Sequence, residues 1–138
     1  MERKDLQALA HISDADLETA PFGIVVVDAV GTIERYNQYE SDLSHLSAKS
    51  VIGKNFFKTV APCTQVSAFE GRFKEFLALG DPLSDSFAYF FPFAHGDANV
   101  LVTFVRQDGT GSTLIVVERV DEAVIEPLVD FYSPINPR

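Results

Sequence analysis

Residues 99–120 read NVLVTFVRQDGTGSTLIVVERV. Two runs rich in β-branched residues, at about 99–106 and 112–120, flank the turn signal DGTG at 108–111, which predicts an antiparallel hairpin. A further strand is expected at about 84–93, because this aromatic-rich run precedes a second turn signal, HGD, at 95–97. Strand alternation would place Tyr89, Phe91 and Phe93 on one face. The stretch therefore predicts three antiparallel strands.

Upstream, residues 23–28 and 32–37 predict two more strands joined by a tight turn at Val30 and Gly31. Short helices are expected from about 38 to 79, and the last has an apolar face formed by Phe69, Phe73, Phe76 and Leu77. The order of elements predicts an α+β domain with a pocket where the helices lie over the sheet. We divide the chain into an N-terminal helical cap (1–21), a central domain (22–120) and a C-terminal extension (121–138).

The charge of the chain narrows the classes of function. With 20 acidic and 11 basic residues, the net charge of −9 disfavours nucleic acid and anionic membranes as partners. No run is long enough to span a membrane, so we expect the cytoplasm. Three dispersed histidines and one cysteine do not reproduce a zinc-site spacing, so we expect no metal site.

Cys63 is the only cysteine, and a single thiol cannot form an internal disulfide. A free cysteine is most often a small buried apolar residue. A catalytic alternative would use Cys63 as a nucleophile with His45 or His95 as base and Asn37 or Asn55 as third member. No local signature supports such an enzyme, so we expect the chain not to be one.

Three features stand out around Cys63: Tyr36-Asn37 with Glu40, VIGKNFFK at 51–58 and VAPCT at 60–64. Together they resemble the photoactive yellow protein family, and the resemblance extends from about Phe22 to Val120. It implies a PAS fold, in which a five-stranded antiparallel sheet is flanked by short helices.

The resemblance also implies the chemistry of a blue-light photoreceptor. Cys63 would carry 4-hydroxycinnamic acid (p-coumaric acid) as a thioester, and the phenolate would accept hydrogen bonds from Tyr36 and Glu40, with Ser44 supporting Tyr36. Both donors must be neutral, which for Glu40 requires a raised pKa. Light would isomerise the chromophore from trans to cis, and Glu40 would then donate its proton and start a conformational signal.

Further residues match pocket positions of the family: Val25, Phe56, Val60, Ala61, Pro62, Thr64, Tyr89, Phe91 and Phe93. Two pocket positions depart from it. Leu46 stands where an arginine is usual, so the anion should depend more on Tyr36 and Glu40. His95 stands near a methionine position, and we expect it to slow the return to the dark state and make that return sensitive to pH.

The apolar extension 121–138 should dock somewhere, either back on its own domain or on another molecule. The second case includes a homodimer formed through the termini, or a downstream signalling protein that the sequence does not identify. The alternative function is a PAS sensor or interaction module that binds another ligand without photochemistry.

Overall fold

The computed structural model describes residues 3–120 of the 138. The predicted C-terminal extension, with its alternatives of fold-back and dimer formation, lies outside the described residues. Within the described range, no helix is long and apolar enough to cross a membrane.

Five antiparallel strands form one sheet in the order β2-β1-β5-β4-β3. Their bounds are β1 Gly23–Val27, β2 Ile33–Tyr36, β3 Ser84–Phe93, β4 Gly96–Arg106 and β5 Thr113–Arg119. The predicted α+β class and the five-stranded antiparallel sheet are confirmed.

The hairpin between β3 and β4 is tighter than the sequence suggested. Phe93 pairs with Gly96, which leaves a loop of only Ala94 and His95, and β4 begins three residues earlier than predicted. Gly96 has a φ of 144°, a conformation that side-chain-bearing residues rarely adopt. Gly96, which the HGD signal predicts to lie in the turn, therefore starts the strand.

Two helices precede the sheet, and the other helices lie in the connection between β2 and β3. They are α1 Arg3–Ala10, α2 Asp14–Thr19, α3 Gln38–Ser44, α4 Ala48–Val51 and α5 Arg72–Leu79, with π-helical turns at Phe56–Val60 and Ser67–Gly71 and a 3₁₀ turn at Pro62–Thr64. The predicted amphipathic helix is therefore a π-helical turn followed by α5. Its residues Phe69, Phe73 and Phe76 are buried, as the pattern predicted.

Strand β1 is buried on both faces and separates two apolar cores. Val25 and Val27 pack with the phenylalanine-rich core beneath the central helices. Ile24 and Val26 pack with Leu9 and other residues of the N-terminal helices on the opposite face. The alternation of a β-strand thus places the helical cap on one side of the sheet and the helix-covered cavity on the other.

Asn37 joins the cap, β1 and α3. Its Nδ2 donates to the carbonyl oxygens of Leu17 and Phe22, each at 2.9 Å. Its Oδ1 accepts the backbone N–H groups of Ile24 at 3.0 Å and Glu40 at 3.1 Å. The side chain is fully buried and both its donors and its acceptor oxygen are used, so it holds the start of α3 in place.

Replacing Asn37 with alanine should destabilise the protein by about 3 kcal/mol or more, because two buried N–H groups and two carbonyl oxygens each lose a hydrogen bond. Urea unfolding followed by circular dichroism measures this change. The control is Gln38→Ala, since Gln38 is exposed and bonds only to Asp42 one turn along α3, and its cost should stay within about 0.5 kcal/mol. Equal costs for the two variants would contradict the role given to Asn37.

Candidate functional site

A cavity of about 250 Å³ lies between α3, the segment from the first π-helical turn to the 3₁₀ turn, and β3. This volume is slightly below the usual range for small-molecule pockets, about 300–1,000 Å³. Its lining residues are Tyr36, Glu40, Ser44, Leu46, Phe56, Val60, Ala61, Pro62, Cys63, Phe91, Pro92 and Phe93. The cysteine, the tyrosine and the glutamate singled out from the sequence therefore share one cavity.

Glu40 lies in the first turn of α3 and is 3% exposed. Its Oε1 has no hydrogen-bond partner among the described residues. Burial alone raises the pKa of this carboxyl from 4.5 to about 8. Glu40 is therefore a proton carrier at neutral pH, which a solvated glutamate is not.

Tyr36 ends β2, four residues before Glu40, and Ser44 lies one turn beyond Glu40 along α3. The Tyr36 hydroxyl is 2.7 Å from Ser44 Oγ, which in turn donates to the Glu40 carbonyl oxygen at 2.8 Å. Because a hydroxyl has one proton, Ser44 Oγ accepts from Tyr36 in this arrangement. Burial raises the pKa of Tyr36, the nearby Glu40 charge raises it further, and the Ser44 hydrogen bond partly offsets both. Tyr36 is therefore a neutral donor.

Cys63 is presented by a sharply turned segment. Asn55 begins the preceding π-helical turn, and its Oδ1 accepts the N–H groups of Phe57 and Lys58. Pro62 begins the 3₁₀ turn that contains Cys63. Cys63 is an exposed residue, but its thiol is partly desolvated by its neighbours, and this raises the pKa of the thiol. It is accessible to a reagent without being an activated thiolate.

An aromatic stack runs from the cavity wall to the surface. Phe91 stacks on Phe93 with ring centroids 5.2 Å apart, Phe93 on His95 at 5.0 Å, and His95 on His45 at 3.5 Å. His95 Nε2 is also 2.9 Å from the Leu43 carbonyl oxygen. His45 caps α3 with a φ of 65°. The stack thus fastens the β3–β4 hairpin to the C-terminal end of the helix that carries Glu40.

Most of the pocket residues predicted from the sequence lie in the cavity wall, and four lie beside it. Val25 is in the core beneath, and Thr64 is buried with its hydroxyl donating to the Ala61 carbonyl oxygen at 2.6 Å. Tyr89 donates to the Cys63 carbonyl oxygen at 2.7 Å, and His95 belongs to the stack. Pro92 lines the cavity but was missed, because strand alternation places it on the opposite face from Phe91 and Phe93.

Leu46 lies in the wall with 37% of its surface exposed. The side chain at this position therefore supplies apolar area and no charge. Its backbone N–H donates to Ser44 Oγ at 3.2 Å, which adds a third contact to that hydroxyl.

The members of the catalytic alternative are engaged elsewhere. His45 and His95 stack on each other, the Asn37 amide is fully hydrogen-bonded, and Asn55 caps a turn and donates to the Val30 carbonyl oxygen. Within residues 3–120, no three His, Cys, Asp or Glu side chains lie close enough to hold a metal ion. The cavity offers a thiol and two neutral donors instead.

A larger groove of about 690 Å³ runs between α5 and β3. The guanidinium of Arg72 lies in this groove, donates two hydrogen bonds to Asp85 at 2.6 and 2.9 Å, and lies over the Phe87 ring. The charged side chains of Arg72 and Asp85 in this groove are thus paired with each other, whereas the smaller cavity holds the Glu40 carboxyl, whose Oε1 has no partner.

The fold and the helix-covered cavity define a PAS domain. The PAS domain of the RpfR quorum-sensing receptor from Cronobacter turicensis has the same fold, with a TM-score of 0.61 at 21% identity, covering 74% of this chain and 96% of that one. No family model matches the sequence.

Two more similar proteins identify the family. The photoactive yellow protein domain of the sensor histidine kinase Ppr from Rhodospirillum centenum has a TM-score of 0.74 at 34% identity, covering 82% of this chain and 98% of that domain. Photoactive yellow protein from Rhodothalassium salexigens is 42% identical over 113 residues, covering 82% of this chain and 90% of the relative. The chain belongs to the photoactive yellow protein family of PAS-type photoreceptors.

The stability of the chromophore-free protein should depend on the ionisation of Glu40. Its pKa is higher in the folded state than in the unfolded one, so the stability it contributes is complete below about pH 4.5 and is lost as the pH rises through about 8. At about 1.4 kcal/mol per pKa unit, the loss amounts to several kcal/mol. In Glu40→Gln this loss should be absent.

Urea unfolding of both proteins at about pH 5 and about pH 9 measures the difference. We expect Glu40→Gln to be markedly more stable than the parent protein at the higher pH and similar to it at the lower one. A constant difference between the two proteins across this range would show that Glu40 does not titrate inside it.

Proposed function

We propose that this chain is a blue-light photoreceptor that carries 4-hydroxycinnamic acid as a thioester on Cys63. Membership in the photoactive yellow protein family supports the class of function. The observation that carries the particular chemistry is the unpartnered, buried carboxyl of Glu40 in the same cavity as the only cysteine. A phenolate oxygen of the ligand at that point would supply the hydrogen-bond partner that the carboxyl lacks.

Attachment requires an activated form of the acid, such as a thioester or an anhydride. The Cys63 sulfur forms a bond to the acyl carbon, the bond to the leaving group breaks, and the thiol proton leaves with that group. Because its pKa is raised, Cys63 reacts slowly with ordinary esters and needs such a donor. The exposed position of the thiol gives the donor access.

Tyr36 and Glu40 would hold the phenolate end of the ligand by charge-assisted hydrogen bonds. When Tyr36 turns its proton from Ser44 toward a phenolate, Ser44 Oγ no longer accepts from Tyr36. Ser44 then has two acceptors for its own proton, the Tyr36 hydroxyl and the Glu40 carbonyl oxygen, both within hydrogen-bond distance. The hydroxyl chain can therefore reverse without movement of heavy atoms.

When bound, the chromophore would supply absorption of blue light and trans–cis isomerisation. The chain's own part is the release of the Glu40 proton toward the phenolate oxygen. That leaves a carboxylate in a fully buried place, and an uncompensated buried charge costs several kcal/mol. Loosening of α3, which is tied to the cap through Asn37 and to the hairpin through the aromatic stack, would relieve this cost. We expect a cytoplasmic signalling protein to recognise the loosened state.

Reconstitution tests the proposal directly. Chain expressed without ligand and treated with activated 4-hydroxycinnamic acid should gain the mass of one 4-hydroxycinnamoyl group, turn yellow and bleach reversibly under blue light. Cys63→Ala should gain neither mass nor colour. Glu40→Gln should gain both but absorb at a different wavelength, because its amide is a weaker donor to the phenolate.

A colourless product, or an acyl group found on a residue other than Cys63, would contradict the proposal. A protein that is loaded and yellow but does not bleach would retain the attachment site and reject the photoreceptor role. A colourless product would favour the alternative of a PAS sensor for another ligand.

A further inference from the structure

Gly23, the first residue of β1, lies directly beneath the Glu40 carboxyl. A Cβ atom built on Gly23 would overlap Glu40 Oε1, and it would lie 3.2 Å from Glu40 Cδ and 3.4 Å from Glu40 Cβ. The oxygen that would be struck is the one that has no hydrogen-bond partner. The missing side chain of Gly23 therefore creates the space in which this carboxyl lies.

Helix α3 has little freedom to move away from β1. The Asn37 backbone N–H donates to the Ile24 carbonyl oxygen at 3.1 Å, and the Asn37 side chain accepts the Ile24 N–H at 3.0 Å. Ile24 is the neighbour of Gly23 on the strand, so the helix is fixed one residue from the point of contact. An added methyl group at residue 23 would be accommodated by the flexible Glu40 side chain and not by the helix.

We infer that Gly23 is a positioning residue: by lacking a side chain, it leaves open the buried space that the Glu40 carboxyl occupies. The role is steric: Gly23 does not have a positive φ, so its backbone conformation is open to alanine. The inference rests on the proposed function, in which Glu40 is the proton donor to the ligand. Gly23 would set how strongly that donor holds its proton.

The direction of the effect of Gly23→Ala follows from where the carboxyl can go. A shift toward solvent hydrates it, and a shift into the cavity brings it to the Tyr36 hydroxyl or to water there. Either place stabilises the carboxylate, so the pKa of Glu40 should fall. We expect proton binding by Glu40 to weaken at least tenfold.

Carbon-13 NMR of glutamate-labelled, chromophore-free protein measures this titration, with the Glu40 signal identified by its loss in Glu40→Gln. The matched control is Gly71→Ala, since Gly71 also has a φ open to alanine (−61°) and its added Cβ would meet only Ser67 Cβ, at 3.2 Å. Glu40 should titrate as in the parent protein in Gly71→Ala and at least one pH unit lower in Gly23→Ala. An unchanged titration in folded Gly23→Ala would overturn the inference.

A double-mutant cycle covers the case in which Gly23→Ala folds poorly. In a Glu40→Ala background the struck oxygen is absent, so Gly23→Ala should cost far less stability than in the parent protein. Equal costs in both backgrounds would overturn the inference. Both measurements use chromophore-free protein, so a failure of loading or bleaching would reject the proposed function without affecting them.

Discussion

The site depends on keeping one carboxyl neutral in a place that offers it no hydrogen bond. Glu40 is buried, its Oε1 is unpartnered, and its pKa is raised to about 8 by desolvation alone. An unsatisfied buried carboxyl costs stability, and such groups with a shifted pKa in a cavity are typical of functional sites. The elements around Glu40 hold its side chain in this buried position despite the cost.

Two contacts hold α3 in place, and the space above Gly23 receives the carboxyl of Glu40. Asn37 anchors the start of the helix to β1 and the cap, Gly23 leaves room beneath the side chain, and the stack through His95 and His45 fastens its end to the hairpin. The ends of the helix are thus tied to different parts of the domain. A charge on Glu40, in the first turn between these two connections, would strain both of them, which gives a physical route from the cavity to the surface.

Much of the fold could be predicted from local pattern. The β-branched runs and turn signals gave all five strands, and the spacing of Phe69, Phe73 and Phe76 gave a buried helical face. The boundary of β4 was missed because a glycine can begin a strand as well as form a turn. The π-helical form of the turns was also missed, since it depends on tertiary packing.

The site was predicted in part, through the family resemblance. Tyr36, Glu40, Ser44 and Cys63 do line one cavity, whereas the ligand and the attachment stay predictions. The role of Gly23 and the pairing of His45 with His95 had no signal in the sequence, because these contacts join residues 17 and 50 positions apart. The effect of Gly23 comes from a missing side chain, so it can be recognised only once the position of Glu40 is known.

The light-minus-dark infrared difference spectrum of the loaded protein tests the central claim most directly. We predict the loss of one protonated-carboxyl band and the gain of one carboxylate on illumination, both absent in Glu40→Gln. A carboxylate already present at Glu40 in the dark at neutral pH, or a protonated band that survives bleaching, would contradict the account.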